Sequence, residues 1–329
     1  HAAGTFTLRS AISHSCNSYF AVAFRKAIDQ QQYPDRDSSL AAFNRYAYSF
    51  GLGNKLGVDI PSERKGNIPT PQYYHKIFGP RWVSCNIVSN AIGQGEVETT
   101  IVQLANVMSI LANKGWYYIP HLVDSIEGGD EFGLLEPYKI KHYTLPIDDS
   151  IFTAVQDGMQ GTMEFGTGAA AKVPGIVVCG KTGTTENPFG KDHAFFGAFA
   201  PRDNPRIAIA VLCENAGFGA SSAAPIASLM LEQYLKDSIE GTERKERAEY
   251  LSKLNLIPER MKLKMAALDS AKRADSLQRI KEQKRLKDTI DIEEQPEQNI
   301  RPTNQPQKPA SQKDKDINVV MALPVDNRR

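Results

Sequence analysis

Cysteine is scarce in this chain and badly spaced for chemistry. The four cysteines, Cys16, Cys85, Cys179 and Cys213, form no C-x-x-C pair of the kind that holds zinc or runs a redox couple. They read as small buried hydrophobes. The six histidines show no H-E-x-x-H and no other ligand spacing, so no metal and no cofactor are expected. Net charge is nearly absent too. Lys and Arg number 39 against 38 Asp and Glu, leaving +1 at pH 7. That balance gives no electrostatic reason to expect a nucleic-acid partner. No apolar run approaches the ~18 residues of a membrane span, and no signal peptide opens the chain. The sequence starts at His1 and enters a structured pattern at once. It therefore reads as part of a longer chain, whose missing N-terminal portion has room for a membrane anchor.

Glycine and aromatic residues are missing from one end. From Lys236 onward there is one glycine, Gly241, and one aromatic, Tyr250. About half of all Asp, Glu, Lys and Arg residues fall in that last stretch. Such a composition cannot bury much apolar surface. Three regions follow: a body over 1–235, a charged helical extension over 236–290 and a disordered, Gln- and Pro-rich tail over 291–329. In the extension Leu254, Met261, Met265 and Leu277 give only weak apolar spacing. A solvated arm is the preferred reading, with a docking helix for a partner as the other.

Within the body, the spacing over Thr7–Ala27 predicts helix, break, helix, with Asn17 or Ser18 as the second N-cap. Ser62–Pro80, bounded and interrupted by prolines, reads as irregular. Thr99 or Thr100 caps a helix whose apolar stripe is Ile101, Leu104, Ala105, Met108 and Leu111, ended by Gly115. Trp116–Ile126 reads as a strand. Asp148–Met163 reads as a helix stopped at Gly166-Thr167-Gly168. Strands are expected at Ile176–Cys179, Ala194–Ala200 and Ile207–Cys213, joined by short turns and hence antiparallel. A helix over Ala223–Leu235 closes the body. Helices, then a sheet meander, then a helix make the class α+β.

Gly175-Ile176-Val177-Val178-Cys179-Gly180-Lys181-Thr182 fits the phosphate-binding pattern G-x-x-x-x-G-K-T letter by letter. Its physics is wrong. A phosphate cradle needs a glycine-rich turn opening a helix, whereas Ile-Val-Val-Cys is a strand and Gly183-Thr184-Thr185-Glu186-Asn187-Pro188 cannot start a helix. No nucleotide is expected. Read otherwise, Lys181-Thr182-Gly183 at a strand end offers a positive charge, hydroxyls for a carboxylate and a glycine for close backbone approach. That is the K-T-G element of penicillin-recognising serine acyl-transferases. Ser15-Cys16-Asn17, an S-x-N element on the helix break, precedes it in the expected order. Alone, that element would read as helix capping.

With these motifs, and with Phe50-Gly51-Leu52-Gly53, Ala91-Ile92-Gly93-Gln94-Gly95, His193-Ala194-Phe195-Phe196 and Glu214-Asn215, the chain resembles class B penicillin-binding proteins of the elongation type. These are the peptidoglycan transpeptidases of rod-shaped bacteria. The resemblance runs from about Phe6 to Leu235. It implies the penicillin-binding-protein/β-lactamase-like fold, with 1–235 as the C-terminal portion of the transpeptidase domain. The family's S-x-x-K nucleophile should precede Ser15, and none does. Ser62-Glu63-Arg64-Lys65 follows the S-x-N element in a Pro-bounded loop and is rejected, because nucleophile and base must share a helical face near the oxyanion donors. The nucleophile is therefore expected upstream of His1, and the chain alone is expected to be inactive.

The resemblance implies roles as well. Ser15 relays a proton toward the leaving amine, Lys181 holds Ser15, and Asn17 binds the donor amide. Thr182 and Thr184 hold the terminal carboxylate, and the Thr184 N–H serves the oxyanion. Gly183 to Thr185 offers a strand edge to the peptide. Stem peptides ending in D-alanyl-D-alanine and β-lactams are the implied ligands, with elongation proteins in the membrane as partners. The implied location is the periplasmic face of the inner membrane. Alternatives are a D,D-carboxypeptidase or β-lactamase-type hydrolase, or a non-catalytic β-lactam-sensing or scaffold domain. His193 and His14 read as structural, and Gln94 as a plain turn in preference to a place on the cleft wall.

Overall fold

The interruption expected near Ser15 is a tight corner between α1 (Leu8–Ser13) and α2 (Asn17–Ile28). In this computed structural model, which describes residues 5–255, 257 and 259–293, the N-cap of α2 is Cys16, without a side-chain cap. Asn17 and Ser18 are thus not caps. The chain turns one residue earlier because Ser15 takes the left-handed conformation, φ 53°.

Next come α3 (Arg36–Ser49) and α4 (Pro71–Phe78). Over Pro71–Phe78 the second overturns the irregular reading of Ser62–Pro80, which holds for Ser62 to Thr70. Thr70 caps it by accepting from the Tyr73 N–H, and Pro71 sits at the first helical position, where its missing N–H costs nothing. A 3₁₀ stretch over Ser84–Ile92 follows. Phe24, Ile28, Leu40, Tyr74, Trp82 and Ile87 close over one another as the core of this helical lobe.

The helix α5 (Ile101–Ala112) starts at a Thr100–Gln103 capping box. It is not the simple amphipath the stripe implied: Gln103 and Asn106 are as buried as Met108 and Ile110. Gln103 is satisfied there because its Nε2 donates to the Asn54 and Lys65 carbonyls, at 2.8 and 2.9 Å. The strand expected over Trp116–Ile126 shrinks to β1 (Trp116–Tyr117), paired with β2 (His142–Tyr143). Beyond it, the Asp59 carboxylate accepts from the Leu122 and Val123 N–H groups, which takes those groups out of any ladder.

The helix α6 (Asp149–Glu164) leads to a three-stranded antiparallel sheet of β3 (Cys179–Thr185), β4 (His193–Ala200) and β5 (Ile207–Cys213), in that spatial order. The first strand is shifted from its expected place. Ile176–Val178 is loop, and Lys181 to Thr185 lie inside β3, paired with Gly197 to His193. The apolar run lost to the lysine segment because only that segment has a partner strand in register. Ala194, Phe196, Ala198 and Ala200 join the core under α7 (Ala223–Lys236). Phe199 and Cys179 pack with Ile12, Met108 and Met159 from α1, α5 and α6. The sheet is thus covered on both faces, which fits the near-complete burial of β4.

Two of the four cysteines depart from the buried expectation: Cys85 is exposed and Cys213 half-buried. The helix α8 (Thr242–Lys253) is not merely solvated. Its Arg244 Nε meets the fully buried Glu232 of α7 at 2.6 Å, and its Nη2 donates to the Ser228 hydroxyl at 3.0 Å. The chain divides into two compact units, at Pro258 and Glu259. In the second, α9 (Glu259–Glu293) runs 35 residues, with Met261, Met265 and Leu277 all exposed. The tail expected to be disordered lies, from residue 294, outside the described residues. No helix among the described residues is long and apolar enough to cross a membrane.

Candidate active site

The corner at Ser15 is held from below by glycines of α6. A Cβ on Gly158 would lie 2.8 Å from Ile12, and one on Gly161 2.4 Å from the Ser13 hydroxyl. Helix α1 therefore rides directly on the α6 backbone, and Ser13 Oγ donates to the Gly158 carbonyl at 3.0 Å. Just past α6, a Cβ on Gly166 would sit 2.1 Å from the Ser13 carbonyl oxygen. Any other residue there would push the corner away.

This packing points Ser15 at β3. Lys181 lies on the sheet face shared with Cys179 and Phe199, toward α1. Its Nζ donates to Ser15 Oγ at 2.7 Å, across 166 residues of sequence, and to the Thr182 carbonyl at 2.8 Å. Burial pushes the ammonium down to about 8 from the ordinary 10.5, because desolvation penalises the charged form. Ser15 pays for its aim with a left-handed backbone, a conformation costing a non-glycine residue roughly 1 kcal/mol or more.

Around this pair lies a cleft of about 740 Å³. Ser15, Asn17, Lys181, Thr182, Gly183 and Thr184 all line it, and Thr185 does not. None of the lining residues is Asp, Glu or Arg, and Lys181 is the sole lysine among them. The electrostatics thus suit an anionic ligand. Asn17 is exposed there, at the start of α2.

Strand β3 is the sheet edge. Thr182 and Thr184 direct their carbonyls outward, since the first accepts from Lys181 Nζ and the second from Gln94 Nε2 at 3.2 Å. Gln94 is thus not a plain turn residue but spans the cleft. Gly93 and Gly95, at φ 73° and 75°, form the tight loop that extends it. That loop is fixed by paired backbone hydrogen bonds between Glu98 and Asn67 and by Tyr74, whose hydroxyl donates to Glu96 at 3.1 Å. Thr167, which no motif in the sequence singles out, also stands on the wall: its hydroxyl lies 2.6 Å from that of Thr182. Its flanking glycines carried the one available signal. Phe218, Gly219 and Ala220 complete the wall. Gly219 lies flat on the sheet, where a Cβ would come 2.5 Å from the Gly183 carbonyl oxygen.

Ser62 and Lys65 do not line this cleft. Their segment is turn and coil, with Glu63 accepting from the Leu56 and Gly57 N–H groups, so the two side chains share no helical face. His193 serves the fold: its Nδ1 accepts from the Asn215 N–H at 3.1 Å. The His14 ring approaches the Ser10 carbonyl at 3.0 Å and also borders the cleft. Among the described residues no three His, Cys, Asp or Glu side chains are grouped to hold a metal.

Several known proteins are similar to this chain. Peptidoglycan D,D-transpeptidase MrdA of Haemophilus influenzae is 32% identical over 263 residues, covering 73% of this chain and 38% of that protein. The protein of the same name from Acinetobacter baumannii is 32% identical over 248 residues, covering 70% and 35%. The chain thus spans little more than a third of the length of these relatives. Pseudomonas aeruginosa PBP2, solved in complex with WCK 5153, superimposes with a TM-score of 0.58 at 30% identity, over 71% of this chain and 48% of that one. A chain of a peptidoglycan synthase complex that coordinates polymerization and crosslinking gives 0.59 at 27% identity, over 73% and 39%. Residues 1–232 match the penicillin-binding protein transpeptidase domain, and the α+β fold agrees with that match: the chain belongs to the penicillin-binding protein transpeptidase family.

Proposed function

We propose that this chain supplies the S-x-N and K-T-G walls of a peptidoglycan D,D-transpeptidase site. In the reaction a serine attacks the carbonyl between two D-alanines of a stem peptide, and the terminal D-alanine leaves. The acyl-enzyme is then attacked by an amine of a neighbouring stem peptide, which forms the cross-link. β-Lactams acylate the same serine. No S-x-x-K pair lines the described cleft, and the reading assigns nucleophile and base to residues outside this sequence.

The observation that carries the reading is the Lys181–Ser15 contact of 2.7 Å, set beside the edge strand β3 in a cleft without carboxylates. Ser15 is positioned to pass a proton to the leaving amine, with Lys181 donating to its oxygen. Thr182 and Thr184 hold the carboxylate, and the Thr184 N–H is one oxyanion donor, worth about 3 kcal/mol in comparable enzymes. Asn17 takes the donor amide. The protein acts at the periplasmic face of a bacterial inner membrane, in company with cell-wall synthesis proteins, as the synthase-complex relative suggests.

Fluorescent-penicillin labelling tests this. Joined to the family's S-x-x-K segment, the chain labels covalently, and Lys181→Ala slows acylation about a hundredfold or more. The 329-residue chain alone does not label. Unchanged acylation in the Lys181→Ala protein, or labelling of the chain alone that disappears with Ser62→Ala, refutes the assignment.

A further inference from the structure

The Thr167 and Thr182 hydroxyl oxygens stand 2.6 Å apart, and either can be the donor. Two hydroxyls at this separation share one hydrogen, and the second hydrogen must point elsewhere. A carboxylate only accepts, so a threonine serves it only by donating. Lys181 and Thr182 are successive residues of β3 and leave opposite faces of the sheet, and Lys181 Nζ donates to Ser15 Oγ and the Thr182 carbonyl, so it does not set the direction of the Thr182 hydroxyl. Thr167 is the described side chain in a position to do so.

Its own place is fixed. Gly166 lies against the Ser13 carbonyl and Gly168 against Met163 Sδ, where a Cβ would come within 2.1 and 2.9 Å. The Thr167 N–H reaches the Ser13 carbonyl at 3.4 Å. The segment that carries Thr167 is therefore tied to the end of α1, two residues before Ser15.

We propose that Thr167 is a positioning residue that donates to Thr182 and thereby turns the Thr182 hydrogen outward, giving the cleft its preference for a terminal carboxylate over a neutral end. The inference rests on the D-alanyl-D-alanine reading above. A hydroxyl that already accepts one hydrogen bond is a stronger donor, and a donor to a charged group counts roughly twice a neutral one.

The test is a nuclear magnetic resonance titration of the 329-residue chain with N-acetyl-D-alanyl-D-alanine and with its C-terminal amide. The wild-type chain binds the acid more tightly. Thr167→Val loses about fivefold or more for the acid and only about twofold for the amide, whose carbonyl accepts a neutral bond of roughly half the strength, and Thr167→Ser restores the preference. Thr182→Val loses at least as much for the acid, and adding Thr167→Val to it costs nothing further, as expected of a residue that acts only through Thr182. Equal losses for acid and amide in Thr167→Val, or an unchanged acid affinity, overturn the role. A wild-type chain that binds acid and amide alike overturns the D-alanyl-D-alanine reading itself, and the inference with it.

Discussion

Gln94 closes the cleft by donating its side-chain N–H to the Thr184 carbonyl, 3.2 Å away and 90 residues later. A peptide adding to the edge of β3 needs that same carbonyl as an acceptor. Gln94 therefore holds an acceptor that the ligand must take over. Gln94→Ala is expected to raise the affinity for N-acetyl-D-alanyl-D-alanine severalfold, since a neutral hydrogen bond is worth about 1 kcal/mol. Titration against the wild-type chain reads the change. A fall in affinity would show instead that Gln94 is itself a ligand contact.

Lys181 sets a pH window. Its pKa is depressed to about 8 from 10.5, so the ammonium is charged below that value and neutral above it. Binding of a carboxylate ligand should weaken as pH rises through about 8, and Lys181→Met should bind weakly at all pH values. The stability sign is opposite. A lysine with a lowered folded pKa penalises the folded state while charged, so its cost is relieved as pH rises from about 8 toward 10.5. Chemical denaturation of wild type and Lys181→Met between pH 7 and 10 should show the wild type gaining on the variant. A constant gap would remove the burial argument.

The glycine floor under Ser15 is testable through stability. Gly166→Ala drives a Cβ toward the Ser13 carbonyl oxygen, to 2.1 Å without relaxation. Overpacking of this kind costs about 1–3 kcal/mol. Thermal unfolding should fall by several degrees, and the Lys181–Ser15 contact should loosen with it. A melting point equal to wild type would mean that the corner gives way freely.

The charged extension separates into two parts with different consequences. Cutting after Lys236 removes Arg244, whose Nε meets Glu232 at 2.6 Å, and leaves Glu232 only Lys236 Nζ, at 3.7 Å, as an ion-pair partner. Breaking a buried ion pair costs about 3–5 kcal/mol. Cutting after Pro258 keeps that pair. The first truncation should lower the melting point clearly and the second should not; equal effects would contradict the anchoring role of α8.

Much of this architecture is legible in the residues because local chemistry decides it. Thr100 with Gln103, Asp148 ahead of α6, and the β4–β5 meander each carry their own signal in sequence. What was not legible depends on partners far away. Ile176–Val178 has the composition of a strand, but the strand forms over Lys181 to Thr185, because those residues find Gly197 to His193. Trp116–Ile126 loses its strand to the Asp59 carboxylate, more than fifty residues earlier. In the site, Ser15, Lys181 and the threonines of β3 could be read from motif spacing. Gln94 could be read only as the less favoured of two alternatives and Thr167 not at all, since each matters only through one atom of β3 across the cleft.

The left-handed backbone at Ser15, φ 53°, makes this position a place where selection for folding and selection for chemistry disagree. Glycine adopts that conformation without steric cost, so Ser15→Gly keeps the corner and relieves its strain while deleting the hydroxyl that Lys181 holds. A library screened for thermal robustness alone would drift toward glycine here, and a library screened for acylation, with the chain joined to the S-x-x-K segment, would return to serine. The residue's persistence under each regime would measure, in population terms, how much the reaction is worth to this fold.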